Sequence, residues 1–385
     1  MHVKTNLIPH LWHIPQDRAH FKVEKYFAKA DIKLNGGRPW DIQVRNEDLF
    51  KRIQRQGSLG FGEAYIEGWW ECPKVDELFR RIYCGGLERK FFTWHEAFDV
   101  VHCLLFNEQK LSRAFQIGRH HYDIGNDLFD CMLDKRLVYS CGYWRNASTL
   151  DEAQEAKLDL ICRKLQLEPG MKVLDIGCGW GSAAKFLAER YKAEVTGVTV
   201  SEEQIKYAKD ECKGLSVDIR YQDYRTLKGR FDRIISIGMI EHVGYKNYHE
   251  FMNIVHQNLK DNGLFLLQTV GNNQSVVTGD RWLRHYIFPN GMLPSAKQIS
   301  SAVEKLFVIE DWHNFGVDYD KTLMHWFQNF HRHWKSLKDH YDDSFYRMWK
   351  YYLLSCAGMF RARAVQLWQI VLSPNGIAGG YDAPR

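Results

Sequence analysis

Long apolar runs are missing from this chain. A membrane-spanning helix takes about 20 consecutive apolar residues. The longest candidate, Phe98 to Phe106, is less than half that length and holds Asp99 and His102. No helical membrane span is therefore expected. The opening Met1-His2-Val3-Lys4 soon meets Pro9 and Pro15 and does not read as a signal peptide. Disulfide and metal patterns are missing too. The 9 Cys are odd in number, scattered, and form no Cys-x-x-Cys. That points to reduced thiols in a cytosol. His95-Glu96 has Asp99 where the helical zinc-protease motif needs a second His. His331 and His333 sit in an aromatic stripe (Trp326, Phe327, Phe330, Trp334) at helical spacing, which reads as core packing. No metal site is expected. Internal repeats and long low-complexity linkers are also lacking.

What is present is globular. The 385 residues are 45% hydrophobic, 26% charged and 14% aromatic, which argues against a disordered, collagen-like or coiled-coil chain. Length suggests two or three domains. The net charge of +5 is uneven: residues 1–120 hold 19 Lys and Arg against 15 Asp and Glu, the rest 33 against 32. The basic pairs Arg80-Arg81 and Arg89-Lys90 stand near Phe91, Phe92 and Trp94. Such a patch suits an anionic membrane or a nucleic acid; a solvated helix face is the plainer reading. Residues 20–120 read as mixed short elements. Asn35-Gly36-Gly37 between Ile32–Leu34 and Trp40–Val44 predicts a hairpin. Gly57-Ser-Leu-Gly60-Phe-Gly62 reads as turn chemistry, since Tyr65 stands where a dinucleotide fingerprint needs its third Gly.

Beyond residue 150 the pattern changes. A helix is predicted from Ser148, with Asp151 as its capping-box partner. Strands are then predicted at 172–175, 193–200, 217–221, 231–237, 264–270, 307–312 and 366–372. Helices fall at 182–191, 201–212 and 245–260, with Ser201 and Gln204 in a capping-box pattern. Alternation of this kind implies an α/β fold, a seven-stranded, mostly parallel sheet with helices on both faces. Segments near 272–305 and 320–362 are too long for plain connections and read as helical insertions over the site.

The strongest chemical signal is Val173-Leu-Asp175-Ile-Gly177-Cys-Gly179-Trp-Gly181, directly after the first predicted strand. Glycines let a turn pass close to a ligand. The second strand ends Gly197-Val-Thr199-Val-Ser201 without the acidic residue that holds an NAD ribose. Asp223, followed by Tyr224, closes the third strand and is placed to accept from an adenine amino group. This ordered set resembles the class I S-adenosylmethionine (SAM) methyltransferases.

Further strings make the likeness more specific. They are Gly57–Glu71, His121–Asp127, Tyr139-Ser140-Cys141-Gly-Tyr-Trp144, Gly238-Met-Ile-Glu241-His242-Val-Gly244, Tyr286–Gly291, Asp311–Gly316 and Tyr352–Arg361. In order, from about residue 20 to about 375, they resemble the cyclopropane-fatty-acyl-phospholipid synthases. The resemblance implies transfer of the SAM methyl to a cis double bond of a phospholipid acyl chain, followed by closure of a three-membered ring. It also implies a bound bicarbonate as base, held by positions matching Cys141, Glu241, Gln268, the backbone near Val270, and Tyr319. Thr199 and Gln204 match ribose contacts; Tyr139 and Ser140 match contacts to the methionine end of SAM. Position 268 departs, because the family usually has His there. A Gln amide can donate to an anion but cannot carry a proton charge. The resemblance further implies an N-terminal α+β domain over 1–120 that docks on or tethers to lipid, and a catalytic domain over 121–385. Also implied are a homodimer and a place in the cytoplasm at the inner face of a bacterial membrane.

Plainer roles stand beside these. Cys141 fits an ordinary buried thiol, Tyr319 a core aromatic, Glu241 a loop ion pair or cap, and Gln204 a helix cap. Competing functions are a lipid methyltransferase stopping at a methyl-branched or hydroxylated product, a methyltransferase of small molecules or nucleic acid, and an inactive lipid binder. The near-neutral catalytic half lacks the basic stripe a nucleic acid needs. No nucleic-acid partner is expected.

Overall fold

The computed structural model describes residues 16–90, 93–107, 109 and 125–385. Expectations on the chain start, on Phe91-Phe92, on the side chains of Arg89 and Trp94, and on His121 to Ile124 lie outside the described residues. In chain order the elements are α1 (Gln16–Lys29), β1 (Gln43–Val44), α2 (Leu49–Ile66), β2 (Trp70–Glu71), α3 (Val75–Cys84), α4 (Trp94–Leu105), α5 (Asn126–Met132) and α6 (Leu150–Lys164). Then come β3 (Lys172–Ile176), α7 (Ser182–Tyr191), β4 (Glu194–Thr199), α8 (Glu202–Glu211), β5 (Val217–Tyr221), β6 (Phe231–Ile237), α9 (Tyr248–Asn258) and β7 (Leu259–Asn272). The chain continues through α10 (Arg281–Tyr286), α11 (Ala296–Val303), β8 (Val308–Asn314), α12 (Val317–Leu337), α13 (Asp343–Arg361) and β9 (Val365–Ser373).

Seven strands form one sheet in the order β5-β4-β3-β6-β7-β9-β8. Four pairings are parallel, and β9 runs antiparallel to both neighbours. The order reverses between β3 and β6, because the chain winds outward through β4 and β5 and then returns. In open α/β sheets the crevice at that reversal takes the ligand. All nine residues of β9 are buried, as a strand between two others and covered on both faces must be. The expected strands are all present, with ends shifted by one or two residues except at β7, which begins at Leu259. There the pairing with β6 jumps from Phe231↔Leu259 to Arg233↔Leu264, an irregularity that lengthens the strand.

Three local expectations are corrected. The helix before β3 is capped by Thr149, not Ser148. Its partner is Glu152, whose longer carboxylate reaches back to both N–H groups. Asp151 instead accepts from the Lys135 N–H. The expected hairpin at 32–44 is a loop in which Ile42 bridges Leu34 in parallel sense, through backbone bonds to Lys33 and Asn35. Asp41, fully buried, accepts from the Lys33 and Arg38 backbones and from the Arg38 guanidinium, while β1 pairs with β2. The glycine-rich run lies inside α2, where Gly57 (φ 58°, ψ −132°) kinks the helix. A side chain at Gly62 would collide with the Trp282 indole.

The described residues of the N-terminal part form four α-helices, a short 3-10 turn and one small antiparallel pair of strands, a mainly helical α+β unit. It does not keep a core to itself. One apolar cluster runs from Ala19 and Phe50 through Tyr65 and Phe79 to Trp282, Trp326, Tyr351 and Leu367. The α3 helix lies on α13, where Gly358 leaves room for the Asp76 carbonyl. Arg361 joins the parts, bonding Asp76 at 2.6 Å and Asp320 at 2.8 and 2.9 Å.

Candidate functional site

A cavity of about 250 Å³ opens at the C-terminal ends of β3, β4 and β6. Its floor is the glycine loop. Gly177, Gly179 and Gly181 have φ of 83°, 56° and 80°, a region that side chains with a Cβ disfavour. The Gly177 and Cys178 N–H groups donate to the Val198 carbonyl, pinning the loop to β4. A Cβ at Gly177 would stand 2.9 Å from Met239, which also lines the cavity. Ligand space and loop conformation thus share one cause.

All nine residues expected to bind a cofactor line this cavity: Tyr139, Ser140, Asp175, Gly177, Gly179, Thr199, Gln204, Asp223 and Tyr224. Ser201 caps α8 by accepting from the Gln204 N–H, but the reciprocal half of the expected box is absent. The Gln204 amide oxygen accepts from Thr199 at 3.0 Å instead. One hydrogen bond therefore sets both side chains at the wall. Asp223 caps the short 3-10 turn Tyr224–Thr226 and accepts from the Arg225 N–H. The Tyr139 and Tyr352 hydroxyls meet at 2.8 Å, fastening the segment before α6 to α13.

Lys157 and His242 line the same cavity and were not singled out for it. Lys157 is fully buried and donates to the Ser140 hydroxyl at 3.1 Å. Burial lowers its ammonium pKa to about 8, with Asp134, Cys141 and Asp175 opposing. Asp175 has an oxygen with no partner among the described residues, and burial lifts its carboxyl to about 7 against the pull of Lys157. The signal for Lys157 was in the sequence. It falls four residues after Ala153 and four before Ile161, inside an apolar stripe where an unpaired Lys is rare. His242, pushed down to about 4 by burial, is a neutral imidazole.

The residues expected to act on the substrate lie beside this cavity. Glu241 sits on the short turn Ile240–His242 after β6 and is 8% exposed. One carboxylate oxygen accepts the Val270 N–H at 2.8 Å. The other is buried and finds no partner among the described residues; the neighbouring Thr269 hydroxyl donates to the Val270 carbonyl. Burial raises the Glu241 carboxyl to about 7, which the Val270 N–H partly offsets. Tyr319, at the start of α12, packs on Phe360 at 4.6 Å and edge-on to Trp326. Burial raises its phenol well above the usual range, and Cys141, Tyr139 and Glu241 add to the effect. Cys141 is fully buried, with its thiol on the Gly142 carbonyl and the Thr322 hydroxyl 3.9 Å from sulfur. Burial raises that thiol well above its ordinary value, so it stays protonated. Gln268 is brought near Val270 on β7, but its amide oxygen accepts from Gln369 on β9 at 3.0 Å. The site therefore pairs a carboxyl poised near neutrality with neutral donors, walled by Trp, Tyr and Phe. No grouping of His, Cys, Asp and Glu that could hold a metal occurs among the described residues.

A sequence profile of the mycolic acid cyclopropane synthetase family matches residues 109–370. The chain is 49% identical to a cyclopropane-fatty-acyl-phospholipid synthase of Escherichia coli (strain K12), over 97% of each chain. It is 35% identical to a probable fatty acid methyltransferase of Pseudomonas putida, over 89% of each. Among solved structures, the mycolic acid cyclopropane synthase CmaA1 complexed with SAH and CTAB is 30% identical with a TM-score of 0.63, covering 67% of this chain and 97% of that one. Coclaurine N-methyltransferase, 21% identical with a TM-score of 0.68 over 81% of this chain and 98% of that one, shares the fold.

Proposed function

The chain belongs to the mycolic acid cyclopropane synthetase family, and from that premise we propose that it cyclopropanates unsaturated acyl chains of phospholipids, with SAM as methyl donor. Its fold is that of the class I SAM methyltransferases. The observation that carries the reading is the adjacency of the glycine-floored cavity to a buried, half-partnered carboxyl at Glu241. The alkene π electrons attack the sulfonium methyl carbon and the C–S bond breaks, leaving S-adenosylhomocysteine and a carbocation on the acyl chain. A proton then leaves the new methyl, and its electron pair closes the ring.

An alkene is a weak nucleophile, so alignment and exclusion of water carry the first step. Water would trap the cation as an alcohol. Tyr319, Trp326 and Phe360 supply an apolar wall whose ring faces also tolerate positive charge. Tyr139 and Ser140, held by Tyr352 and Lys157, are assigned to the methionine end of SAM. Thr199 and Gln204 are assigned to its ribose, Asp223 and Tyr224 to its adenine. Gly177 and Gly179 give backbone room, with Asp175 behind them.

The residues around Glu241 fit a small oxyanion. Its orphan oxygen when protonated, the Cys141 thiol, the Tyr319 phenol and the Gln268 amide are neutral donors, and Val270 fixes the Glu241 carboxyl in place. These residues would hold a bicarbonate, which when bound would supply the base for the final proton. Glu241 is the base if that anion is absent, since a carboxyl near 7 gains and loses a proton easily. The reading includes a peripheral place on a phospholipid bilayer and a homodimer.

The test incubates the protein with SAM and unsaturated phospholipid vesicles and analyses fatty-acid methyl esters by mass spectrometry. A product one CH₂ heavier that resists mild hydrogenation supports the reading. A methyl-branched or hydroxylated product overturns it in favour of a lipid methyltransferase that never closes the ring.

A further inference from the structure

Helix α4 carries an apolar face left open to solvent. Phe98, Val101, Leu104, Leu105 and the following Phe106 are 65%, 52%, 53%, 70% and 59% exposed. At 3.6 residues per turn, Phe98, Val101 and Leu105 share an arc of about 60°. Single exposed apolar residues are ordinary; a contiguous set on one face is a contact surface.

The opposite side is anchored beside the site. Cys103 is buried, and its carbonyl accepts from the Tyr245 hydroxyl. The Lys246 ammonium donates to the Leu104 and Phe106 carbonyls at 2.7 and 3.2 Å. Asn107 bonds Asn247 at 2.7 Å, and the Gln109 carbonyl accepts from Arg225, a cavity residue. The helix therefore rests on the loop that begins with Glu241 and His242.

Its charges are arranged for an anionic surface. Asp99 is neutralised by Arg281 at 2.9 Å, and Glu96 is folded back onto Thr93 in a capping box. Lys246 is exposed, stands over the Tyr245 ring at 5.9 Å, and has no acidic partner among the described residues. By contrast, Arg80 and Arg81 are bound to Glu77 and Asp31, and Arg81 stacks on Trp40 at 4.1 Å.

We propose that the exposed face of α4 seats in the headgroup–acyl boundary of a phospholipid bilayer, with Lys246 beside the phosphates and the Glu241 loop directly behind. This rests on the reading that the substrate is a bilayer phospholipid. An amphipathic helix with a wide apolar face and flanking cations is the form that lies in a membrane surface. Here it also shortens the path from bilayer to site.

The test uses the full chain and a triple variant, Phe98→Ser with Leu105→Ser and Phe106→Ser. A second triple, Phe98→Leu with Leu105→Met and Phe106→Leu, keeps the face apolar. Sedimentation with unsaturated phosphatidylglycerol–phosphatidylethanolamine vesicles, SAM affinity by calorimetry, and turnover of the same lipid in vesicles and in detergent are compared. The serine triple is expected to lose about tenfold or more in vesicle binding and vesicle turnover. Its SAM affinity and detergent turnover stay near those of the parent, and the apolar triple matches the parent throughout. Parental vesicle binding by the serine triple overturns the proposal. So does equal loss by both triples, or loss of SAM affinity along with vesicle binding. A changed oligomeric state with vesicle binding intact assigns the face to a second copy and also overturns it. Vesicle binding that depends on the apolar face, with no cyclopropane product in either lipid form, upholds the docking face and sinks the activity instead.

Discussion

Glu241 shows what burial does to one side chain. Its carboxyl is held near 7 against an ordinary 4.5, so the folded protein favours the protonated form. A group raised in this way contributes fully below its unfolded value and loses that contribution as pH rises through about 7. In the ligand-free protein Glu241 is expected to add a downward slope of stability between about pH 5 and pH 7, on the order of 3 kcal/mol in all, with Asp175 acting in the same sense and His242 in the opposite one. Glu241→Gln should flatten that slope; calorimetry at several pH values checks it, and an unaltered slope rejects it. Gly177→Ala is expected to cost about 1–3 kcal/mol and to weaken SAM binding, because φ 83° and Met239 both oppose a Cβ. At 268, exchange of Gln for His is expected to alter bicarbonate dependence of turnover; identical dependence in the two proteins would make the departure neutral. The residues around the cavity were legible because each stood in a dense motif at a strand end. Thr322, which accepts from the Gly142 N–H and the Trp144 indole, was not, because its partners lie far away in sequence.

Elements were legible in proportion to their periodicity. The inner parallel strands β3 and β6 are largely apolar and buried, the edge strand β5 alternates apolar with charged residues, and each falls where strand–helix alternation put it. Residues 57–62 misled because their glycines lie within a helix and not in a loop. Gly57, with non-helical φ and ψ, marks a kink between two helical stretches of α2, and Gly62 makes room for an indole from α10. Gly57→Ala is therefore expected to destabilise the fold by about 1–3 kcal/mol, since φ 58° with ψ −132° is open only to glycine. Denaturant unfolding measures this, and a neutral result would show that the kink relaxes at no cost. The Thr149 cap was missed by one residue. Ser148 and Asp151 match the spacing, but only a Glu side chain reaches back to the cap.

At the scale of the molecule, the seam between N-terminal helices and insertion helices was hidden from sequence because it is built from pairs hundreds of residues apart. Asp76, 6% exposed, depends on Arg361 for its charge partner. Arg361→Met leaves that carboxylate buried and alone, which is expected to cost about 3 kcal/mol. Because the core is shared, hydrogen exchange should speed up in both α3 and α13; acceleration confined to α13 would mean the two parts open separately. The same close packing has a practical side. Of the nine thiols, Cys84 alone is exposed, Cys131 and Cys356 are half-buried, and the other six are buried. A maleimide dye should therefore settle first on the end of α3. The untouched native chain thus carries a single fast-reacting handle on its N-terminal unit, from which the proposed docking on a vesicle can be timed without removing any cysteine.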